Sequence, residues 1–473
     1  MAHTPRRHAS VLIGFLAVIA LLGSAAAHGT PIAAQPTHLD VKGLAAGNQH
    51  TCALLHIGSV MCWGYNGTGE LGIGTLDNFR TRPVNVSGLE SSVQAITAGA
   101  SHTCALLTSG SVQCWGGNHV GQLGDGTNTT RPRPVNVSGL SSGVQAIAAG
   151  WYHTCALLSG GGVTCWGWNG EGELGDGTTT GRSTPVSVSG LSSSVRALTA
   201  GRVHTCALLN EGTVMCWGDN SRDQLSDGTS TTRTTPVNVV GLSGSVEGLT
   251  AGADHTCAIL SGGGVTCWGW NQSGQLGDGT LARRTSPVSV TNVNAPVQAV
   301  AAGVFHTCAL PITGGVLCWG RNSEGQLGDG TYTNRAMPGA VSGLASSAQA
   351  IAAGHDHTCA LLNGGVMCWG RNGSGQLGDG TAENNGPTPV FVSGFPPGPA
   401  MPDANRDGVT NAVDALCILR QLGEFTSTTH CRLPLSFGDV NQSGVTNAVD
   451  ALCVLRYLGR FPWTNNCPYD PPA

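Results

Sequence analysis

The sequence contains little charge and almost no lysine. Charged residues make up 10% of the 473 residues, aromatic residues make up 5%, and Lys42 is the only lysine. The formal net charge is −5, and no run of basic side chains could neutralise a row of phosphates. The composition therefore argues against nucleic acid as a partner. After the N-terminal region, no apolar stretch reaches the roughly 20 residues that a membrane-spanning helix needs.

One apolar stretch lies at the N-terminus. Arg6 and Arg7 precede the apolar or small residues 11–22, and three consecutive alanines follow. A positive start, a short apolar segment and a small-residue cleavage site are typical of a secretory signal peptide. We assign residues 1–27 to a signal peptide and 28–38 to a short linker, with an uncleaved N-terminal anchor as the alternative. The protein is expected to be extracellular or associated with the cell surface.

Glycine and cysteine, by contrast, are plentiful, with 72 and 18 residues respectively. The tripeptide His-Thr-Cys recurs seven times at intervals of 51 or 52 residues, inside a unit that reads VQAIAAGxxHTCALLxxGxVxCWGxNxxGQLGDGTxxxxxPVxVSGL. A fixed period of this size is typical of propellers and solenoids. The repeated histidines are His50, His102, His153, His204, His255, His306 and His357.

Each unit contains four short apolar runs bounded by Gly, Ser, Asn or Pro, and these runs predict strands. In the second unit the strands are expected at 93–96 (A), 103–107 (B), 111–115 (C) and 134–137 (D). Four antiparallel strands per repeat form one propeller blade. The predicted fold class is therefore an all-β seven-bladed propeller over residues 39–395, in which ring closure removes exposed sheet edges.

Each unit also contains two cysteines that face one another across the B–C hairpin. Six units allow a three-residue loop with glycine at its third position, and Asn363-Gly364 predicts a two-residue turn in the seventh. After a signal peptide, an even set of regularly spaced cysteines indicates disulfides rather than zinc. The predicted bridges are Cys52–Cys62, Cys104–Cys114, Cys155–Cys165, Cys206–Cys216, Cys257–Cys267, Cys308–Cys318 and Cys359–Cys368.

The pattern HTCAL…GxVxCWGxNxxGQLGDGT…P resembles the repeat of the regulator of chromosome condensation family over about residues 39–395. The resemblance implies a seven-bladed propeller. Blades of that family commonly borrow a strand from a neighbouring unit, so the resemblance implies that the last D strand, Pro389 to Val392, completes the first blade. The founding member exchanges nucleotide on a small GTPase. That activity is implied by resemblance only, and the signal peptide argues against it.

Behind a proline-rich linker at 396–402, two segments carry oxygen-bearing residues at loop positions 1, 3, 5, 9 and 12, with glycine at position 6. This spacing is typical of calcium loops, in which position 7 contributes a backbone carbonyl. Two Ca²⁺ sites are expected, the second weaker because it has fewer carboxylates. The candidate ligands are Asp403, Asn405, Asp407, Val409, Asn411 and Asp414 in the first loop, and Asp439, Asn441, Ser443, Val445, Asn447 and Asp450 in the second.

Each calcium loop leads into a short amphipathic stretch that predicts a helix, without a helix before the loop. Two such units resemble a type I dockerin, so residues 403–473 are assigned to a small α-helical calcium-binding module. The resemblance implies a cohesin-like protein partner, contacted through Ala412, Val413, Ala448 and Val449. A calcium-stabilised cap that docks nothing is the alternative. The last cysteines are Cys417, Cys431, Cys453 and Cys467; their equal spacing favours one bridge in each half, although three connectivities exist.

The recurring His, the Trp of CWG and the Asp of GDGT occur once per blade, whereas an enzyme usually needs one asymmetric constellation. We therefore expect no catalytic residues, and predict structural roles for these three positions. The variable positions before each repeated His and after each CWG should share one face of the disc. On that face, Trp151, Tyr152, Trp168 and Trp270 form a candidate binding face for a glycan or a protein. The alternative is that these aromatics only fill loop packing.

These observations lead to one main functional hypothesis. The protein is a secreted, non-catalytic binding or scaffold propeller, attached to a cohesin-like partner through its calcium module. A component of extracellular polysaccharide degradation is the first alternative, because dockerins often accompany glycoside hydrolases. Guanine-nucleotide exchange is the second.

Overall fold

A computed structural model of the protein describes residues 40–362, 365–383 and 385–395. The predictions for the signal peptide, both linkers, the calcium loops, the docking positions and the last four cysteines lie outside these residues. The Asn363-Gly364 turn also lies outside them. No helix in the described part of the chain is long and apolar enough to cross a membrane.

Within the described residues, 28 strands form seven four-stranded antiparallel sheets, each built from consecutive strands in the order A-B-C-D. We number the sheets as blades 1 to 7. The strands are, in blade 1, β1 Val41–Ala46, β2 His50–Leu55, β3 Val60–Tyr65 and β4 Phe79–Asn85; in blade 2, β5 Val93–Ala98, β6 His102–Leu107, β7 Val112–Gly116 and β8 Arg131–Asn136; in blade 3, β9 Val144–Ala149, β10 His153–Leu158, β11 Val163–Gly167 and β12 Arg182–Ser187; in blade 4, β13 Val195–Ala200, β14 His204–Leu209, β15 Val214–Gly218 and β16 Arg233–Asn238; in blade 5, β17 Val246–Ala251, β18 His255–Leu260, β19 Val265–Gly269 and β20 Arg284–Ser289; in blade 6, β21 Val297–Ala302, β22 His306–Pro311, β23 Leu317–Gly320 and β24 Arg335–Ala340; and in blade 7, β25 Ala348–Ala353, β26 His357–Leu362, β27 Gly365–Gly370 and β28 Gly386–Phe391.

The seven-bladed, four-stranded fold class predicted for the propeller is confirmed. The clearest difference in strand bounds concerns the D strands: β8 begins at Arg131, three residues before the predicted start at Pro134. Arg131 pairs with Gly116 of β7 after an irregularity in the register. The D strand is the outer edge of its sheet, where prolines are tolerated because they lose no ladder hydrogen bond.

Each B–C hairpin has the predicted cysteine register. In blade 1, Cys52 lies directly opposite Cys62, and a three-residue loop ends at Gly58 with a φ of 81°. That left-handed conformation favours glycine, which the other three-residue B–C loops also place there. The structure contains the seven predicted intrablade disulfides, each with a Cα–Cα distance of 4.1 Å.

The expectation of strand exchange between the last and first repeats is wrong. Strand β28 pairs with β27 of its own repeat, Val390 lying opposite Cys368, and blade 1 is completed by its own D strand, β4. Every repeat supplies a whole blade, so no position is left vacant for a borrowed strand. The ring is closed by contacts between whole blades.

The hydrophobic cores lie between the blades. In each core the disulfide of one blade packs near the CWG tryptophan of the next, as Cys52–Cys62 does with Trp115. The core that joins blade 7 to blade 1 is built in the same way from Cys359–Cys368 and Trp63, with Phe395 as an additional aromatic member. All seven tryptophans are fully buried, which confirms their predicted role in interblade packing: Trp63, Trp115, Trp166, Trp217, Trp268, Trp319 and Trp369.

Candidate binding face

The repeated histidines belong to a ring of hydrogen bonds between blades. His50 Nε2 lies 2.9 Å from Thr103 Oγ1 in the next blade, and that hydroxyl donates to the main-chain carbonyl of Glu70. Because the hydroxyl proton is committed to the carbonyl, Nε2 must carry the hydrogen and donate it to Thr103. Trp115 Nε1 donates to the same carbonyl, so three side-chain contacts join at one point of the interface.

This arrangement recurs at all seven interfaces. The remaining histidine–threonine pairs are His102–Thr154, His153–Thr205, His204–Thr256, His255–Thr307, His306–Thr358 and His357–Thr51, with distances of 2.8–2.9 Å. The His357–Thr51 pair connects the last blade to the first and completes the ring. Burial lowers the pKa of each of these histidines to about 3 or 4, so they are neutral at ordinary pH. Their predicted structural role is confirmed.

The GDGT aspartates shape the C–D loops, as predicted. Asp125 accepts hydrogen bonds from the backbone and hydroxyl of Thr127 and forms an ion pair with Arg131 at 2.8 Å. Burial alone would raise the pKa of Asp125, but these hydrogen bonds and the guanidinium outweigh it and lower the pKa. In the second repeat, the Asn118 side-chain amide also donates to Asp125. The first repeat lacks this aspartate, and there the equivalent amide, that of Asn66, donates to Asp77 instead.

One buried position differs between repeats in a way that sequence analysis did not single out. The residue before the leucine of GQL is Gln in five repeats, but Glu70 in the first and Glu173 in the third. Glu173 is fully buried, and its Oε1 has no hydrogen-bond partner. Burial, assisted by the nearby charges of Glu171 and Asp219, raises the pKa of Glu173 to about 7.

The A–B and C–D connections of each blade lie at the same end, as predicted. In all seven blades the residue after CWG donates its backbone N–H to the residue before the repeated histidine, as Trp168 does to Tyr152 at 2.8 Å. We call the surface formed by these connections the A–B/C–D face. At its centre, the Ala-Gly ends of the A strands and the residue after each glycine line an opening of about 120 Å³.

Trp151 lies at this central opening. Its ring stacks on His355, from the seventh blade, with ring centroids 5.7 Å apart, and the Arg202 guanidinium lies 5.5 Å from the indole centroid. Trp151 also meets Tyr152 edge-on at 6.2 Å. The indole is therefore engaged by three neighbours and is only partly exposed.

The other two predicted tryptophans lie apart from this pair. Trp168 is 44% exposed, whereas Trp270 is partly buried with the Arg222 guanidinium 4.1 Å from its ring centroid. Among the described residues, no ring contact joins either of them to Trp151 or Tyr152. The structure thus places all four residues on one face but brings only Trp151 and Tyr152 together.

Charged clusters on this face were missed by sequence reasoning. Asp356, which is buried, accepts from Gln326 and lies 2.7 Å from His355, with Arg321 and Arg371 about 4 Å away. Asp254 pairs with Arg202 at 2.7 Å. The sequence signal was present, because these residues occupy variable positions inside an otherwise constant frame. It did not reveal which charges are neighbours across blades.

The RCC1-like domain model matches residues 14–247 and 141–400, which together cover most of the chain. The chain belongs to the RCC1-like domain family. The segment that follows this RCC1-like propeller, residues 401–459, matches the dockerin type I domain model.

Relatives of the RCC1-like propeller include the ultraviolet-B receptor UVR8 of Arabidopsis thaliana, 32% identical over 68% of this chain and 75% of that protein. The human E3 ubiquitin-protein ligase HERC2 is 31% identical over 68% of this chain, but only 7% of its own length is matched. Among solved structures, yeast RCC1 (Prp20) bound to Kap60 has 25% identity and a TM-score of 0.64, covering 75% of this chain and 85% of that chain.

Proposed function

We propose that this protein is a secreted, non-catalytic binding protein, whose RCC1-like propeller presents the A–B/C–D face while its dockerin module attaches to a cohesin-type partner. The observation that carries this proposal is the dockerin type I match directly after the propeller. A dockerin attaches its neighbouring domain to another protein, so the propeller is the part that is displayed.

The propeller's own contacts support a non-catalytic role. The seven repeated histidines and tryptophans are buried at the blade interfaces and hydrogen-bonded there, and the GDGT aspartates hold turns. What varies on the constant frame is the set of side chains on the A–B/C–D face. Variable loops on a rigid scaffold are where binding usually resides.

The dockerin module is proposed to depend on calcium. The oxygen ligands would come from the side chains of Asp403, Asn405, Asp407, Asn411 and Asp414 and from the equivalent residues of the second loop. Calcium would fix each loop, so that loop positions 10 and 11, Ala412 and Val413 in the first repeat, can meet the partner.

The test is capture of the full-length secreted protein on an immobilised type I cohesin, with either Ca²⁺ or a chelator present. We expect capture in calcium and release by the chelator, and about a hundredfold weaker capture for the double variant Asp403→Ala, Asp439→Ala, since each change removes a charged ligand. Ile57→Ser, on an exposed B–C loop, is the matched control. Equal capture with and without calcium, or none by any cohesin tried, would contradict the proposal.

A further inference from the structure

A groove on the A–B/C–D face runs between the C–D loops of the second and third blades. Its volume is about 340 Å³. We call it the Trp168 groove; the lining residues that matter here are Trp168, Gly170, Asn128, Asn169, Thr179 and Ser183, and the full lining contains only neutral residue types and His119. None of these residues is an acid, a lysine or an arginine.

The indole of Trp168 has one supported side. A Cβ built on Gly170 would lie 2.5 Å from Cζ2 and 2.8 Å from Cε2 of Trp168, so the ring rests against the glycine backbone where no side chain fits. Despite this support the residue is 44% exposed, and every other tryptophan among the described residues is buried or less exposed. The groove is therefore bordered by a fixed, accessible aromatic surface.

The fifth blade has a tryptophan at the position of Trp168, Trp270, but no glycine two residues later. There Trp270 is followed two residues later by Gln272 instead of glycine, and Trp270 lies under the Arg222 guanidinium rather than in the open. In the first blade, Tyr65 is again followed by a glycine, Gly67, and its ring again rests on that glycine. In the described part of the chain the open tryptophan thus occurs together with a glycine two residues later, and the tryptophan covered by arginine does not.

Three polar side chains of the groove and one indole N–H are uncommitted. The side chains of Asn128, Thr179 and Ser183 make no hydrogen bond within the described part of the chain, and neither does the indole N–H of Trp168. The Asn169 side-chain amide, by contrast, donates hydrogen bonds within the C–D loop, to Asp176 and to the carbonyls of Thr178 and Thr180. The free groups combine neutral donors and acceptors beside an aromatic face.

We propose that the Trp168 groove binds a neutral sugar ring of a polysaccharide. The C–H face of a pyranose is apolar and carries slightly positive hydrogens, which suits the negative face of an indole. Its hydroxyl groups match the amide and hydroxyls of the groove, and the absence of charged lining disfavours acidic sugars. This inference rests on the proposed function, since it names the ligand of the same face.

The test is isothermal titration of the full chain with three soluble neutral polysaccharides, a β-1,4-glucan, a xylan and a galactomannan, and with polygalacturonate as the acidic polymer. Trp168→Ala and Gly170→Ala should each weaken binding of the preferred neutral polymer about tenfold or more, the second by displacing the indole. Trp270→Ala, the equivalent tryptophan already covered by arginine, should stay within about twofold.

Binding of a neutral polymer that is lost in both groove variants and kept in Trp270→Ala supports the inference. Binding of polygalacturonate alone, of no polymer, or with equal loss in Trp270→Ala overturns it. Cohesin capture is measured on the same preparations, so failure of the sugar test with capture intact leaves the attachment role standing. Matching melting temperatures exclude unfolding as the cause.

Discussion

At the scale of single residues, Glu173 places an ionisable side chain at a fully buried position of the repeat. Five repeats place glutamine there, and Glu173 is buried with one carboxylate oxygen unpartnered and a pKa raised to about 7. Because the pKa of this group is higher in the folded state than in the unfolded chain, the folded state binds the proton more tightly, and protonation favours folding. Stability from this group is fully present below about pH 4.5 and is lost as the pH rises towards 7.

We therefore expect Glu173→Gln to stabilise the protein by up to about 3 kcal/mol at pH 8 and to have little effect near pH 4.5. Glutamine keeps the shape but cannot ionise. The measurement is the free energy of unfolding from denaturant titrations at both pH values, with exposed Glu211→Gln as the control. A destabilised variant at pH 8 would show that the carboxylate has a partner worth more than its burial costs.

At the scale of elements, the C–D loop of the fourth blade breaks the repeat. Asp223 and Ser226 stand where the other repeats have glycine, and both adopt positive φ, 62° and 51°. Asp223 is completely buried, and its Oδ2 lies 2.6 Å from Nε of Arg283 in the next blade, a close ion pair whose N–H is not aligned for a hydrogen bond. Asp223 thus forms an ion pair with the next blade while its backbone has a positive φ that glycine would adopt more easily.

The two partners should respond unequally to substitution. Arg283→Met leaves a buried carboxylate unpaired and should cost about 3 kcal/mol, the lower end of the range because Arg283 is itself 40% exposed. Asp223→Gly relieves the positive φ and leaves an arginine that water can solvate, so it should cost less than about 1 kcal/mol. Calorimetric unfolding of both single variants and the double variant tests this, and equal losses in the two single variants would contradict it.

Features of single elements could be predicted from the sequence, whereas contacts between repeats could not. Strands, B–C loops and disulfide register are local: the cysteine spacing and the loop glycine at Gly58 fix which residues face each other. The completion of the first blade was mispredicted. The family resemblance implied that the last repeat supplies its fourth strand, but the first repeat supplies its own, β4. Trp168 and Trp270 differ in exposure because the Arg222 guanidinium of the preceding blade covers Trp270, a contact between blades that the aromatic pattern alone does not contain.

At the scale of the whole molecule, the seven blade interfaces all contain the same buried titratable group. Each contains one buried histidine whose folded-state pKa is about 3 or 4, below the usual value of 6.5. Because the unfolded chain binds these protons more readily, stability is fully present above about pH 6.5 and falls as the pH is lowered towards 4. Each histidine contributes a slope of up to about 1.4 kcal/mol per pH unit.

We expect the free energy of unfolding to fall steeply between pH 6 and pH 4.5, with all seven interfaces lost in one cooperative transition, since a propeller with one opened interface has lost its ring. His153→Gln, whose amide can still donate to Thr205, should reduce the slope by about 1.4 kcal/mol per pH unit. His56→Gln, on the exposed B–C loop of the first blade, is the matched control. Denaturant titrations at half-unit pH steps measure all three proteins. A slope that is the same in His153→Gln as in the unaltered protein would mean that the buried histidines are not what makes the ring sensitive to acid.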